Sequence, residues 1–152
     1  MESKLTEAVK TFNELTPGEI YDILHLRQEV FVIEQKCIFQ DLDYKDQKAH
    51  HFMIRNEEGQ LLAYTRLLEF NDPYPGYLSI GRVVNHPDYR RMHLGRYLML
   101  RSIEEIRKLH GNHPIKIGAQ AYLTRFYSQF GFSPTGERYM EDGIPHLKMV
   151  TE

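Results

Sequence analysis

The spacing of apolar positions changes along the chain, and each change marks an element. Ile20, Ile23, Leu24, Arg27, Val30 and Phe31 recur at helical intervals after Thr16-Pro17-Gly18-Glu19. In that opening, threonine suits the N-cap, proline the first turn, and Glu19 can reach back to close a capping box. The pattern predicts a helix to about residue 32, ended by a β-branched cluster and Cys37. Ahead of it, residues 9–15 read as a first strand. Residues 51–55 and 61–68 are strand-like runs joined by Asn56-Glu57-Glu58-Gly59-Gln60, which predicts a hairpin. A further run, Leu78-Ser79-Ile80-Gly81-Arg82-Val83-Val84, carries a glycine in its middle and predicts a bulge or the close approach of another backbone. The last three runs in series predict an antiparallel meander.

After the turn Asn85-His86-Pro87-Asp88-Tyr89, the run Arg90-Arg91-Met92-His93-Leu94-Gly95 leads into a second helix. At 100° per residue Gly95, Leu98, Met99, Ser102, Ile103, Ile106 and Leu109 share the inward side. Arg96, Arg101, Glu104, Glu105, Arg107 and Lys108 fall on the other side. The helix stops near His110-Gly111-Asn112, and residues 114–119 predict a strand parallel to the one before the helical crossover, so the sheet is mixed. A short helix carries Leu123, Phe126, Tyr127 and Phe130 to Gly131, and a turn at residues 141–146 precedes a last strand.

The chemistry concentrates where the strand ending at Val84 passes into the second helix. First-turn amides without intrahelical partners, the positive helix end and two adjacent arginines together favour a bound phosphate or pyrophosphate. Two arginines alone would equally be a solvated basic turn, and Tyr127 by spacing alone would be one more core aromatic. Arg90-x-x-His93-x-Gly95 resembles the pyrophosphate loop of the GNAT N-acetyltransferases, with His93 where that family usually has glycine. Phe126-Tyr127 followed by Phe130-Gly131-Phe132 resembles the segment in which the family's tyrosine is often the general acid and the helix lies along coenzyme A. Gln120 stands where many members have a cofactor-bordering asparagine. Three further stretches, at residues 27–35, 118–121 and 141–146, are similar to the ElaA-like branch. The resemblance implies an α/β (α+β) fold: a mixed, twisted sheet of about six or seven strands, flanked by helices and splayed at its centre to admit a thioester.

Composition narrows the partners. The 152 residues fit one GNAT-like domain, 1–152, and 19 Lys and Arg against 21 Asp and Glu leave a net charge of −2, which argues against nucleic acid or an anionic membrane. A charged N-terminus, Met1-Glu2-Ser3-Lys4-Leu5-Thr6-Glu7, and a single cysteine, Cys37, read as cytoplasmic. The acidic run Asp41-Leu42-Asp43-Tyr44-Lys45-Asp46 fails as a calcium loop, because Lys45 takes an oxygen position and the required glycine and glutamate are missing; no metal is expected. Dimers are common among small enzymes, which makes a homodimer the base-rate expectation.

The resemblance implies acetyl-CoA as cosubstrate and a small-molecule or peptide amine as acceptor. Amides across Arg91, Met92, His93, Leu94, Gly95 and Arg96, with Arg90, would hold the pyrophosphate. Backbone groups of Val83 and Val84 would pair with the pantetheine and supply an oxyanion donor, while Gln120 and Phe126 would border the cofactor. Tyr127 would protonate the leaving thiolate. For the base, Glu34, His50, His51 and His146 are the candidates, with Glu34 preferred for its place beside the cleft. Two other readings stand beside this one. A non-catalytic acyl-CoA-binding regulatory module is the first; the second is an acyl-homoserine lactone synthase, which would need an S-adenosylmethionine site for which the chain has no motif.

Overall fold

The computed structural model describes residues 4–152; residues 1–3 of the charged N-terminal stretch lie outside it. Four antiparallel strands in the order β1 (Thr6–Thr11), β2 (His50–Arg55), β3 (Leu61–Leu68) and β4 (Ser79–Asn85) form one half of the sheet. Three more, β5 (Ile115–Gln120), β7 (Ile144–Thr151) and β6 (Ser133–Glu141), form the other, in that spatial order. The halves touch at one parallel bridge. Leu78 N–H donates to the Pro114 carbonyl at 2.9 Å and Lys116 N–H to the Leu78 carbonyl at 2.9 Å. Beyond that bridge the edge strands β4 and β5 part, which is the predicted mixed and splayed arrangement.

Helices cover both faces. α1 (Pro17–Arg27) buries Ile23 and Leu26 against Met53, Leu61, Tyr64 and Val84. Its capping box forms as expected: Glu19 N–H donates to Thr16 Oγ1 at 3.1 Å, and Thr16 N–H to the Glu19 carboxylate at 2.9 Å. α2 (Leu94–His110) packs Leu98, Met99 and Ile106 on the opposite face with α3 (Thr124–Ser128) beside it. Covered on both sides, β3 is buried along all eight residues and shows no alternation. Ser102 on α2 bonds Thr65 on β3 through their hydroxyls at 2.7 Å, which fits the expectation that small inward residues bring this helix close.

Four expectations need correction. The first strand is residues 6–11 rather than 9–15, because Phe12–Glu14 turn as a 3-10 helix, with Thr11 N–H bonded to the Glu14 carboxylate at 2.8 Å. The first helix does not stop at residue 32; Gln28–Glu34 continue it as a π-helix, with Gln35 N–H donating to Val30 and Cys37 N–H to Val32. Three β-branched residues, Val30, Val32 and Ile33, which slightly disfavour an α turn, fall in this wider one. Leu109, assigned to the inward face, is 39% exposed in the last turn of α2. Ser133–Glu141, part of no predicted element, is an edge strand whose side chains are almost all exposed, so it carries no hydrophobic alternation.

Candidate active site

Where β4 and β5 diverge, a cleft of roughly 710 Å³ opens. Its wall includes Val83 and Val84 from β4, Gln120 from β5, Tyr127 from α3, Glu34 from the π-helical turn, and Arg90. Sequence reasoning thus selected six residues that converge on one cavity from five segments. The β4 wall is bent by the predicted bulge. Register shifts by one residue between Tyr64↔Val84 and Arg66↔Gly81, and the kink falls at Arg82, whose φ is 50°.

Residues 90–96 form the shoulder of the cleft, exposed except at Leu94 and Gly95. Pro87–Met92 is a 3-10 helix, His93 takes a left-handed conformation (φ 54°), and α2 starts at Leu94 with no side chain capping it. The His93 amide already donates to the Arg90 carbonyl at 3.1 Å. The first-turn donors left open by helix geometry are therefore those of Leu94, Gly95 and Arg96. Gly95 is pressed close: a β-carbon there would lie 3.4 Å from the Asn85 amide and 3.7 Å from the Phe126 ring. Phe126 lies behind this turn rather than in the cleft wall. Arg91, Met92 and His93 are exposed, and Arg96 reaches Gln129 at 2.9 Å.

The two charged candidates meet each other. Arg90 Nη1 and Nη2 donate to the two Glu34 carboxylate oxygens, at 2.9 and 2.5 Å, so the preferred base is occupied by the expected phosphate ligand. Tyr127 is buried, and burial pushes its hydroxyl up to about 12, with Tyr122 adding to the shift. Cys37 is buried with its thiol toward the Asp142 carbonyl at 3.6 Å; burial and the nearby Asp142 and Glu141 charges raise it, the reverse of activation.

The histidines separate. His51 lies away from the cleft. Its Nε2 faces the Asp46 carbonyl at 2.9 Å, which can only accept, so Nδ1 accepts from the Tyr64 hydroxyl at 2.6 Å; burial holds its pKa down. His50 packs edge-on against His110, with ring centres 5.6 Å apart. Neither lines the cleft, because the strand carrying them runs two positions in from β4. His146 does line it.

A layer of ion pairs was not foreseen. Arg27, fully buried, donates Nε to Asp41 at 2.9 Å and Nη1 to Asp46 at 2.7 Å. Arg66 on β3 grips both Asp43 oxygens, at 2.8 and 2.9 Å, and Arg82 at the bulge donates Nε to Asp41 at 2.7 Å. The acidic run that failed as a calcium loop is thus a strap tying α1, β3 and the β4 bulge together, and its Asp43, with Phe39 and Gln40 just before it, lines the cleft. The legible signal was a charged residue, Arg27, within an inward-facing apolar stripe.

A split sheet that opens beside a bulged strand, with an uncapped helix start at its shoulder, defines the acyl-CoA-binding GNAT fold. The profile of the GNAT acetyltransferase domain matches residues 11–152, and the chain belongs to that family. It is an ElaA-like member. Protein ElaA of Escherichia coli is 39% identical over 92% of both chains. ElaA's crystal structure matches with a TM-score of 0.89 over 98% of this chain and all of that one. An acyl-CoA N-acyltransferase from Pseudomonas aeruginosa is 40% identical, with a TM-score of 0.92 over 98% of this chain and 100% of the other. Acyl transfer from an acyl-CoA is the activity these relationships support. No helix among the described residues is long and apolar enough to cross a membrane.

Proposed function

We propose that this protein transfers an acetyl group from acetyl-CoA to a small-molecule or peptide amine by direct attack within a ternary complex. The observation that carries this reading is Tyr127, buried in the wall of the same cleft that is bordered by the β4 bulge and Arg90.

The amides of Leu94, Gly95 and Arg96, with Arg90 and Arg91, hold the pyrophosphate, and the open edge of β4 at Val83 and Val84 receives the pantetheine as an added strand. A main-chain N–H of that edge stabilises the tetrahedral oxyanion. Gln120 flanks the cofactor, and Phe126 backs the Gly95 turn that faces the pyrophosphate. Tyr127 donates its proton to the departing sulfur. Burial holds the phenol at about 12, so Tyr127 carries its proton at neutral pH and has it to give as the C–S bond breaks. Glu34 holds Arg90 ready for the phosphate. No acyl-enzyme is involved: the single thiol, Cys37, is buried against the Asp142 carbonyl, and burial with the nearby Asp142 and Glu141 charges raises its pKa rather than activating it.

Release of free coenzyme A thiol from acetyl-CoA, followed across a panel of primary amines, tests this. Turnover by the parent, cut by about 10²-fold or more in Tyr127→Phe with coenzyme A binding unchanged, is the expected result. Binding without turnover of any amine would favour the non-catalytic module, and undiminished turnover by the variant would remove Tyr127 from its role.

A further inference from the structure

We infer that His146 is the general base that takes the proton from the acceptor ammonium, with Glu141 positioned to hold the resulting imidazolium. The inference rests on the acyl-transfer reading above and supplies the one chemical group that reading lacks.

The tautomer is fixed by the backbone. His146 Nδ1 lies 2.8 Å from the Ile144 carbonyl, which can only accept, so Nδ1 carries the hydrogen. In the neutral ring Nε2 then presents a lone pair. That atom faces Glu141 Oε2 at 3.5 Å, close enough to form an ion pair once Nε2 is protonated. Both residues line the cleft that Tyr127 lines. The ring is held rather than free: His146 is 9% exposed, paired with Gln120 on β5 and Tyr139 on β6, with the Tyr139 ring centre 5.4 Å away. The Asp142-Gly143 turn, left-handed at both residues, brings Glu141 back beside His146. Three other candidates are otherwise engaged: Glu34 by Arg90, Asp43 by Arg66, and His51 by Tyr64 and Asp46.

In the step, an ammonium N–H bond breaks and its proton moves to Nε2, leaving a free amine and an imidazolium beside Glu141. The nitrogen lone pair then forms a bond to the thioester carbon. As the C–S bond breaks, sulfur takes the Tyr127 proton, and a second nitrogen-bound proton restores the tyrosine. His146 returns its proton to solvent, so one ammonium and one thioester give one amide, one thiol and one proton.

Two acceptors of equal size separate a base from a structural histidine. Benzylamine is charged at neutral pH and must lose a proton before attack, whereas phenylhydrazine is already uncharged. His146→Asn keeps a donor near the Ile144 carbonyl while removing the base, and Glu141→Gln changes an exposed side chain at the end of β6. We expect His146→Asn to lose about 10²-fold or more with benzylamine and less than about threefold with phenylhydrazine, each corrected for uncatalysed reaction, with coenzyme A binding retained by calorimetry. Glu141→Gln should show the same selectivity with a smaller loss. Equal losses on both acceptors, or an undiminished benzylamine rate, would overturn the inference. Parent turnover of either acceptor addresses the acyl-transfer reading, and only the ratio between acceptors addresses His146.

Discussion

His93 holds a φ of 54°, and a side chain in this region costs about 1–2 kcal/mol, less for histidine than for β-branched residues. Glycine at 93 should therefore be at least as stable as the parent in urea unfolding, while His93→Val should lose about 1–2 kcal/mol. A glycine variant that destabilises by that amount would mean the imidazole makes a contact outweighing the strain. The spacing Arg90-x-x-His93-x-Gly95 revealed the loop but not which of its amides remain open, since the bond from His93 to the Arg90 carbonyl follows from the backbone turn. The Arg90–Glu34 pair was equally hidden. Fifty-six positions separate the partners, and local pattern cannot join them. Tyr127 was legible as an inward helical position, whereas its burial and its raised pKa come from what surrounds it.

The strap at residues 41–46 shows the same division between elements. Its charges were visible and its partners were not, because Arg27, Arg66 and Arg82 come from three separate elements. Arg27→Met should destabilise by about 3 kcal/mol, the low end for removing one partner of a buried pair, because Arg82 and Arg66 still contact the same aspartates. A denaturant series showing less than about 1 kcal/mol would mean the remaining arginines fully replace it. Burial alone would raise the Asp43 carboxyl, but hydrogen bonds and charge from Arg66, with help from Arg82, hold it at about 2. That depressed value favours the folded state above pH about 4, and the contribution is lost as pH falls towards about 2. Asp43→Asn should flatten the acid limb of a stability–pH curve in this window, and an unchanged limb would contradict the strap's part in acid unfolding. Elements with strong periodicity, α1 and α2, were readable almost to their ends. β6 was not, because an exposed polar edge strand leaves no apolar pattern, and its place is set by pairing with β7.

For the whole molecule, the deciding feature is that the sheet fails to close. Leu78, just before β4, makes the one bridge to Ile115 of β5, and the cleft beyond it collects residues from the β4 bulge, the π-helical turn, the shoulder before α2, and α3. Chain order and the helical crossover predicted parallel neighbours. The splay itself was implied only by resemblance, since nothing in strand periodicity says where two edges part. The measurement that bears most directly on the account is a calorimetric titration of acetyl-CoA and coenzyme A into the parent and into an Arg90→Glu/Arg91→Glu double variant. Micromolar binding by the parent, abolished in a variant that keeps its circular dichroism spectrum, is the predicted result; no binding by the parent, or equal binding by both, would contradict a cofactor held at the shoulder before α2.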